Sequence, residues 1–156
     1  MGLKEELGFP NAIENAAHEA VLNVLVTADL LAKEGERVAH PYGLTEAQLN
    51  VLMILRYQSK ESELDQSSLG RMLVVNRSNV TGLVDRMEEA GWVRRNPDAH
   101  DRRIKRVCLT AEGKRVLKSA EKAYLQRVEE VMGTLTAGER GALRSALEKL
   151  REKLSK

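Results

Sequence analysis

A chain of 156 residues, 42% hydrophobic and 31% charged, is one domain of ordinary size with enough apolar material to bury a core. Aromatics are only 3% of it, so the core must be aliphatic, and a single cysteine, Cys108, excludes an intrachain disulfide framework. The net charge of +2 conceals an asymmetry: residues 1–65 carry 5 basic and 11 acidic side chains, residues 66–118 carry 12 and 6, and residues 119–156 carry 8 and 6. A basic centre of this kind either faces a polyanion or is a solvated surface, and charge alone does not choose between them.

Taken in chain order, Asn11 and Glu14 have the spacing of a capping box and predict a long helix that runs to about His40, where Pro41 forbids continuation. Ile13, Ala17, Ala20, Val24, Ala28 and Leu31 recur at steps of three and four, and Val21, Leu22 and Leu25 widen the stripe. So broad an apolar face needs a second surface, either another helix of the same chain or a twin subunit. Thr45 and Gln48 form a further capping box ahead of a helix carrying Leu49, Val51, Leu52, Ile54 and Leu55, and Lys60–Glu63 reads as a loop.

Asp65 then caps a short helix with Leu69, Met72 and Leu73 on one side. After a break at Val74–Val75, Asn76 caps a second helix, roughly Arg77 to Ala90, striped by Val80, Leu83, Val84 and Met87. The N-terminal half of this helix offers Arg77, Ser78, Asn79, Thr81 and Gly82, the C-terminal half Asp85, Glu88 and Glu89. A recognition helix reads bases with its N-terminal residues and phosphates repel carboxylates, so the polarity suits DNA. Gly91 ends the helix, Trp92–Asn96 reads as a strand, Pro97–Arg103 as a polar turn and Lys105–Leu109 as the returning strand. Trp92 is placed in the core beneath this hairpin. Thr110 caps a helix from Ala111 to about Met132, and Thr136 with Glu139 opens a last one striped by Leu143, Ala146, Leu147, Leu150 and Leu154.

Helix, turn, helix and basic hairpin describe a winged helix-turn-helix, a mainly α fold with a short β-hairpin wing. The segments Asn76–Gly91, Asp98–Arg103 and Val107–Gly113, with Gly43-Leu-Thr45 and the flanking helices, resemble the MarR (multiple-antibiotic-resistance regulator) family of bacterial transcription factors. Gly70 and Val74 depart from that family's pattern and leave the inter-helix geometry open. The resemblance covers nearly the whole chain. It implies one domain, with 11–40 and 111–156 as N- and C-terminal dimerisation helices and 45–110 as the DNA-binding lobe. It assigns Arg103 to the minor groove and Asp101 to bracing the wing, and it implies a small effector, often a phenolic or other aromatic anion, bound between the dimerisation helices and the lobe. Apolar stripes at both ends point the same way, to a C2 homodimer, against the alternative of a monomer whose terminal helices pack on each other.

Residue chemistry adds particulars. Arginine matches the guanine edge, asparagine matches adenine and a threonine methyl can touch thymine, so Arg77, Ser78, Asn79 and Thr81 are candidate major-groove readers; the plain alternative is a solvated helix face. Gly82, with no side chain, would let the backbone ride close to the duplex. Arg102 and Arg103 sit near the wing tip, where an arginine gains from the potential of a narrow minor groove. Arg94, Arg95, Lys105 and Arg106 are phosphate candidates, though neighbouring strand residues point to opposite faces. Cys108 is either a passive thiol or a redox sensor.

No catalytic constellation is present. His18-Glu19 begins like a zinc-protease helix, but residue 22 is Leu, and the three histidines have no cysteine cluster to join them, so neither metal nor cofactor is implied. No apolar run approaches the ~18 residues of a membrane span and no signal peptide opens the chain, which reads as cytoplasmic. The expected function is a sequence-specific regulator of double-stranded DNA with a pseudo-palindromic operator, a repressor relieved by a small molecule. The competing reading is a helical protein–protein adaptor without DNA readout.

Overall fold

In a computed structural model describing residues 2–73 and 79–156, the chain folds into seven α-helices and a three-stranded antiparallel sheet. The helices are α1 (Leu3–Glu6), α2 (Ala16–Ala39), α3 (Glu46–Tyr57), α4 (Gln66–Met72), α5 (Val80–Glu89), α6 (Ala111–Met132) and α7 (Ala137–Leu154). The strands β1 (Glu63–Asp65), β2 (Val93–Pro97) and β3 (Lys105–Leu109) lie in the order β1-β3-β2. The break at Val74–Val75, the Asn76 cap, Arg77 and Ser78 lie outside the described residues.

Most boundaries have a visible local cause. At α3 the Thr45 hydroxyl accepts the N–H of Gln48 and the Gln48 side chain accepts that of Thr45, so both halves of the box close. Asp65, Thr110 and Thr136 cap α4, α6 and α7 in the same way. Gly91, at φ 75°, ends α5 by taking the left-handed turn that lets the N–H of Trp92 return to the carbonyl of Met87.

Three expectations are corrected. The long second helix starts later than Asn11 and Glu14 imply, because Asn15 supplies the cap by accepting the N–H of His18. Glu63 opens strand β1, which pairs with β3 at Glu63↔Cys108, Leu64↔Val107 and Asp65↔Arg106, and so does not belong to a loop. Met72 is exposed, while Leu69 and Leu73 are buried.

The core is aliphatic and sits in the middle of the chain. Leu49, Leu52 and Leu55 of α3 meet Leu69, Leu73, Leu83, Val84 and Met87 from the helix-turn-helix, Val93 and Val107 from the hairpin, and Leu117 and Ala120 from the first half of α6. Half-buried Trp92 packs against this cluster. At the α6 root, Thr110 Oγ1 donates to the carbonyl of Gly91 or Trp92, and a Cβ at Gly113 would collide with the Trp92 carbonyl. Only glycine lets α6 lie against the base of the wing.

The two ends of the chain are built differently. In α2 only Gly35 and Ala39, near its C-terminus, are buried, and α7 buries nothing within the chain. Val21, Leu25, Leu30, Leu31, Leu125, Leu143, Leu150 and Leu154 are all exposed. The α2 and α6 helices are tied by Arg127, whose Nε donates to Glu34 at 2.8 Å.

Candidate nucleic-acid interface

The exposed surface of the recognition helix and the wing is organised by three guanidinium groups, each doing something different. Arg95 of β2 points inward, with 17% of its side chain exposed. Its Nη2 pairs with Asp85 and its Nη1 with Glu88, both at 2.7 Å, and its Nε donates to Gln66 Oε1 at 3.2 Å. The N–H of Arg95 also donates to Glu88, and this bond, followed by the guanidinium, lowers the Glu88 carboxyl below its usual range. One side chain thus fastens the wing to α5 and to the start of α4, pairing with two carboxylates of the acidic half of α5.

Arg106 of β3 lies on the other face of the hairpin, with 38% of its side chain exposed. Its Nε donates to Asp98 Oδ2, and its Nη1 lies 3.6 Å from Glu63 of β1. Asp98, the buried polar residue of the hairpin, meanwhile accepts the N–H groups of His100 at 2.8 Å and Asp101 at 3.2 Å. Arg106 first, then those two N–H groups, hold the Asp98 carboxyl at about 2. The wing turn is therefore built around a buried, paired carboxylate. Both guanidinium groups are paired within the protein, which sets Arg95 and Arg106 apart from the other phosphate candidates. Their strand neighbours Arg94 and Lys105 are exposed.

At the tip, Asp101 Oδ1 accepts both the N–H (3.0 Å) and the Nε–H (3.3 Å) of Arg103, whose side chain is 93% exposed. Arg102 beside it is exposed too. Of the helix residues named from the sequence, Asn79 caps α5 by accepting the N–H of Gly82, and a Cβ at Gly82 would come within 2.8 Å of the Asn79 Oδ1, so the glycine makes room for the cap. Thr81 is exposed, its hydroxyl accepting from Gln66 Nε2 at 2.9 Å. Arg77 and Ser78 are outside the described residues.

Sequence reasoning missed two organisers, Asp98 and Gln66. The first had a weak signal, since an aspartate at the start of a turn often accepts N–H groups two and three residues on. The second had none, because its partners are fifteen and twenty-nine residues away. Cys108 is buried; burial, then the hydrogen bond to Glu63, pushes its thiol above the usual range.

A short first helix, an exposed second helix and a braced basic hairpin together define a winged helix-turn-helix protein. A model of the MarR family matches residues 44–105. The transcriptional activatory protein BadR of Rhodopseudomonas palustris is 34% identical over 119 residues, spanning 74% of this chain and 68% of that protein. The HTH-type transcriptional regulator PecS of Dickeya dadantii is 27% identical over 135 residues, 86% and 81% of the two chains. The crystal structure of Sco3205, a MarR family transcriptional regulator from Streptomyces coelicolor, in complex with DNA, has the same fold, with a TM-score of 0.81 over 94% of each chain at 24% identity. The chain belongs to the MarR family, a family of transcriptional regulators and not of enzymes. No helix among its described residues is long and apolar enough to cross a membrane.

Proposed function

We propose that the protein is a homodimeric, sequence-specific binder of double-stranded DNA that represses a nearby operon and is released by a small molecule. The observation that carries this is Arg103: an almost fully exposed cation, held by Asp101 on the same hairpin that Arg95 fastens to α5. A cation on a braced arm fits the negative potential of a narrow minor groove, while the N-terminal half of α5 fits the major groove. In this reading Arg77, Ser78, Asn79, Thr81 and Gly82 meet the major groove, Arg102 and Arg103 the minor groove, and Arg94 and Lys105 phosphates. Asp101, Arg95 and Arg106 hold the geometry.

Exposed apolar faces on α2, α6 and α7 support pairing of two copies about a C2 axis, with residues 11–40 and 111–156 as the dimerisation region and 45–110 as the DNA lobe. Occupancy of a promoter is enough for repression and asks no further surface of the chain. The effector reading is supported by cavities where α2, α3 and α6 meet. Mobility-shift titration and footprinting on the DNA upstream of its own gene, with a reporter driven by that promoter, test the reading. A protected pseudo-palindrome and reporter activity that rises on deletion are expected. Equal affinity for scrambled duplex refutes sequence specificity, and a fall in reporter activity on deletion refutes repression.

A further inference from the structure

Two cavities adjoin at the junction of α2, α3 and α6. The larger, 520 Å³, is walled by Leu31, Val38, Val128, Val131 and Met132; the smaller, 260 Å³, by Leu49, Met53, Ile54 and Tyr57. Glu46 and Tyr124 line both. A mostly apolar cleft of this size with a few converging polar groups is the usual form of a small-molecule site.

The charges at the junction do not balance. Among the described residues Arg127 is the one cation lining either cavity, and it is already paired twice, to Glu34 at 2.8 Å and to Glu130 at 3.1 Å. The remaining partner of Glu34, Arg37, is bound to it at 2.7 Å. Against these stands Glu46, whose carboxylate has no cationic partner among the described residues. Its neighbour Glu36 adds a second negative charge, accepting the N–H of Glu46 at 2.8 Å. Burial, then Glu36, raises the Glu46 carboxyl above its ordinary value. Glu46 is also seated closely. A Cβ at Gly35 would lie 2.7 Å from its Oε1, so the side chain crosses α2 where the helix has no side chain of its own.

We infer that this junction takes an organic cation with an apolar body, its charge held between the Glu46 carboxylate and the Tyr124 ring. The inference rests on the effector reading above and supplies the ligand's charge, in place of the aromatic anion that family resemblance implies. Among the described residues of one chain, an anion entering here would lose its water, meet no free cation and face two carboxylates. A cation would neutralise Glu46 and gain the attraction of an aromatic face.

Three probes with one ring system separate the possibilities: 1-naphthylmethylammonium, neutral 1-naphthylmethanol and 1-naphthoate, each titrated into the full-length protein by calorimetry and then into its complex with upstream DNA. The ammonium compound is expected to bind about tenfold or more tighter than the naphthoate, a difference of one decade or above in Kd. Glu46→Gln is expected to weaken the cation and narrow that ratio, whereas a purely structural role for Glu46 would lower the thermal midpoint and leave the ratio intact. Equal or tighter binding of the naphthoate, an unchanged ratio in Glu46→Gln, or no binding of any probe at millimolar concentration overturns the inference. Tight binding of the cation without release of DNA sinks only the effector reading and leaves the charge preference standing.

Discussion

Glu88 receives Arg95 twice: one carboxylate oxygen accepts the N–H of Arg95 and the other its guanidinium, both at 2.7 Å. The first residue lies at the C-terminal end of α5 and the second in strand β2, so the helix and the wing share a bond that neither could make alone. The same guanidinium reaches Gln66 and Asp85. Helix and wing therefore present themselves to a partner as one rigid body.

Arg95 and Arg94 are neighbours with opposite expected phenotypes. Arg95→Ala leaves Glu88 and Asp85 without their cation and should destabilise the fold by about 1–2 kcal/mol, a figure between exposed and buried ion pairs. Arg94→Ala should leave stability within about 0.5 kcal/mol. It should instead reduce the slope of log affinity against log salt by about one for each phosphate left without its cation. Urea denaturation and a salt series of mobility shifts check both. A reduced slope in Arg95→Ala with unchanged stability would return Arg95 to the phosphate-binding set.

Asp101→Ala opposes two physical arguments. Removing a carboxylate near DNA should tighten binding by electrostatics alone, whereas freeing Arg103 from its brace should weaken it. The pair of bonds from Asp101 to Arg103 favours the second, so weaker binding to operator and scrambled duplex alike is expected. Arg103→Ala should do the same, because the minor groove carries little sequence information. Tighter binding of Asp101→Ala in a parallel titration of the two variants would eliminate the brace.

Thr81→Ala should cost about 1–3 kcal/mol on the operator and little on scrambled DNA, if its methyl group reads a base. Gln66→Ala should copy part of that loss, because Gln66 holds the Thr81 hydroxyl at 2.9 Å. A competition assay with one substituted base pair per duplex locates the base that Thr81 reads. Uniform weakening across all duplexes would mean that Thr81 touches backbone only.

Asp98 and Glu34 link stability to acid. Arg106 holds the Asp98 carboxyl at about 2, and Arg37 followed by Arg127 holds that of Glu34 at about 2, against ordinary values of 3.8 and 4.5. In both cases the unfolded chain binds the proton more readily. The stabilisation is therefore complete above the ordinary value and is lost as pH falls towards about 2. Asp98→Asn should flatten the decline of the urea midpoint between about pH 4 and 2. A decline as steep as in the unsubstituted protein would show that Asp98 is not linked to folding.

Dimerisation predicts a sedimenting species of twice 17.4 kDa at micromolar concentration. Leu25→Glu together with Leu150→Glu, at positions 60% and 51% exposed within one chain, should yield monomers that lose operator binding while keeping their helical content. A monomeric unsubstituted protein that still grips the palindrome would end the two-fold model.

Much of this molecule could be read from local chemistry, because its helices announce their own ends. Thr45 with Gln48, Asp65, Thr110, and Thr136 with Glu139 each satisfy N–H groups within four residues, so spacing alone locates them. Where two such signals compete, as Asn11 and Asn15 do, spacing cannot rank them. Strand β1 is three residues long, too short to display an alternation, and exists because β3 offers it an edge. The candidate site was half legible for the same reason. That arginines line the hairpin is a fact of composition, but which of Arg94 and Arg95 faces α5 depends on the register Arg94↔Cys108 and Arg95↔Val107. The burial of Asp98 depends on a partner eight residues away across the turn.

The tight seat of Gly113 against the Trp92 carbonyl couples parts of the molecule that lie far apart. Because α6 begins flush with the foot of the wing, it cannot tilt without carrying that foot along. Tyr124, at the cavities, lies fourteen residues beyond Thr110, a lever arm of about 21 Å along the helix. A tilt of about 5° pivoting at one end of that arm displaces the other by about 2 Å at 1.5 Å of rise per residue. In a pair of such chains the span between the two wings would then be geared to the angle at which their α6 helices cross.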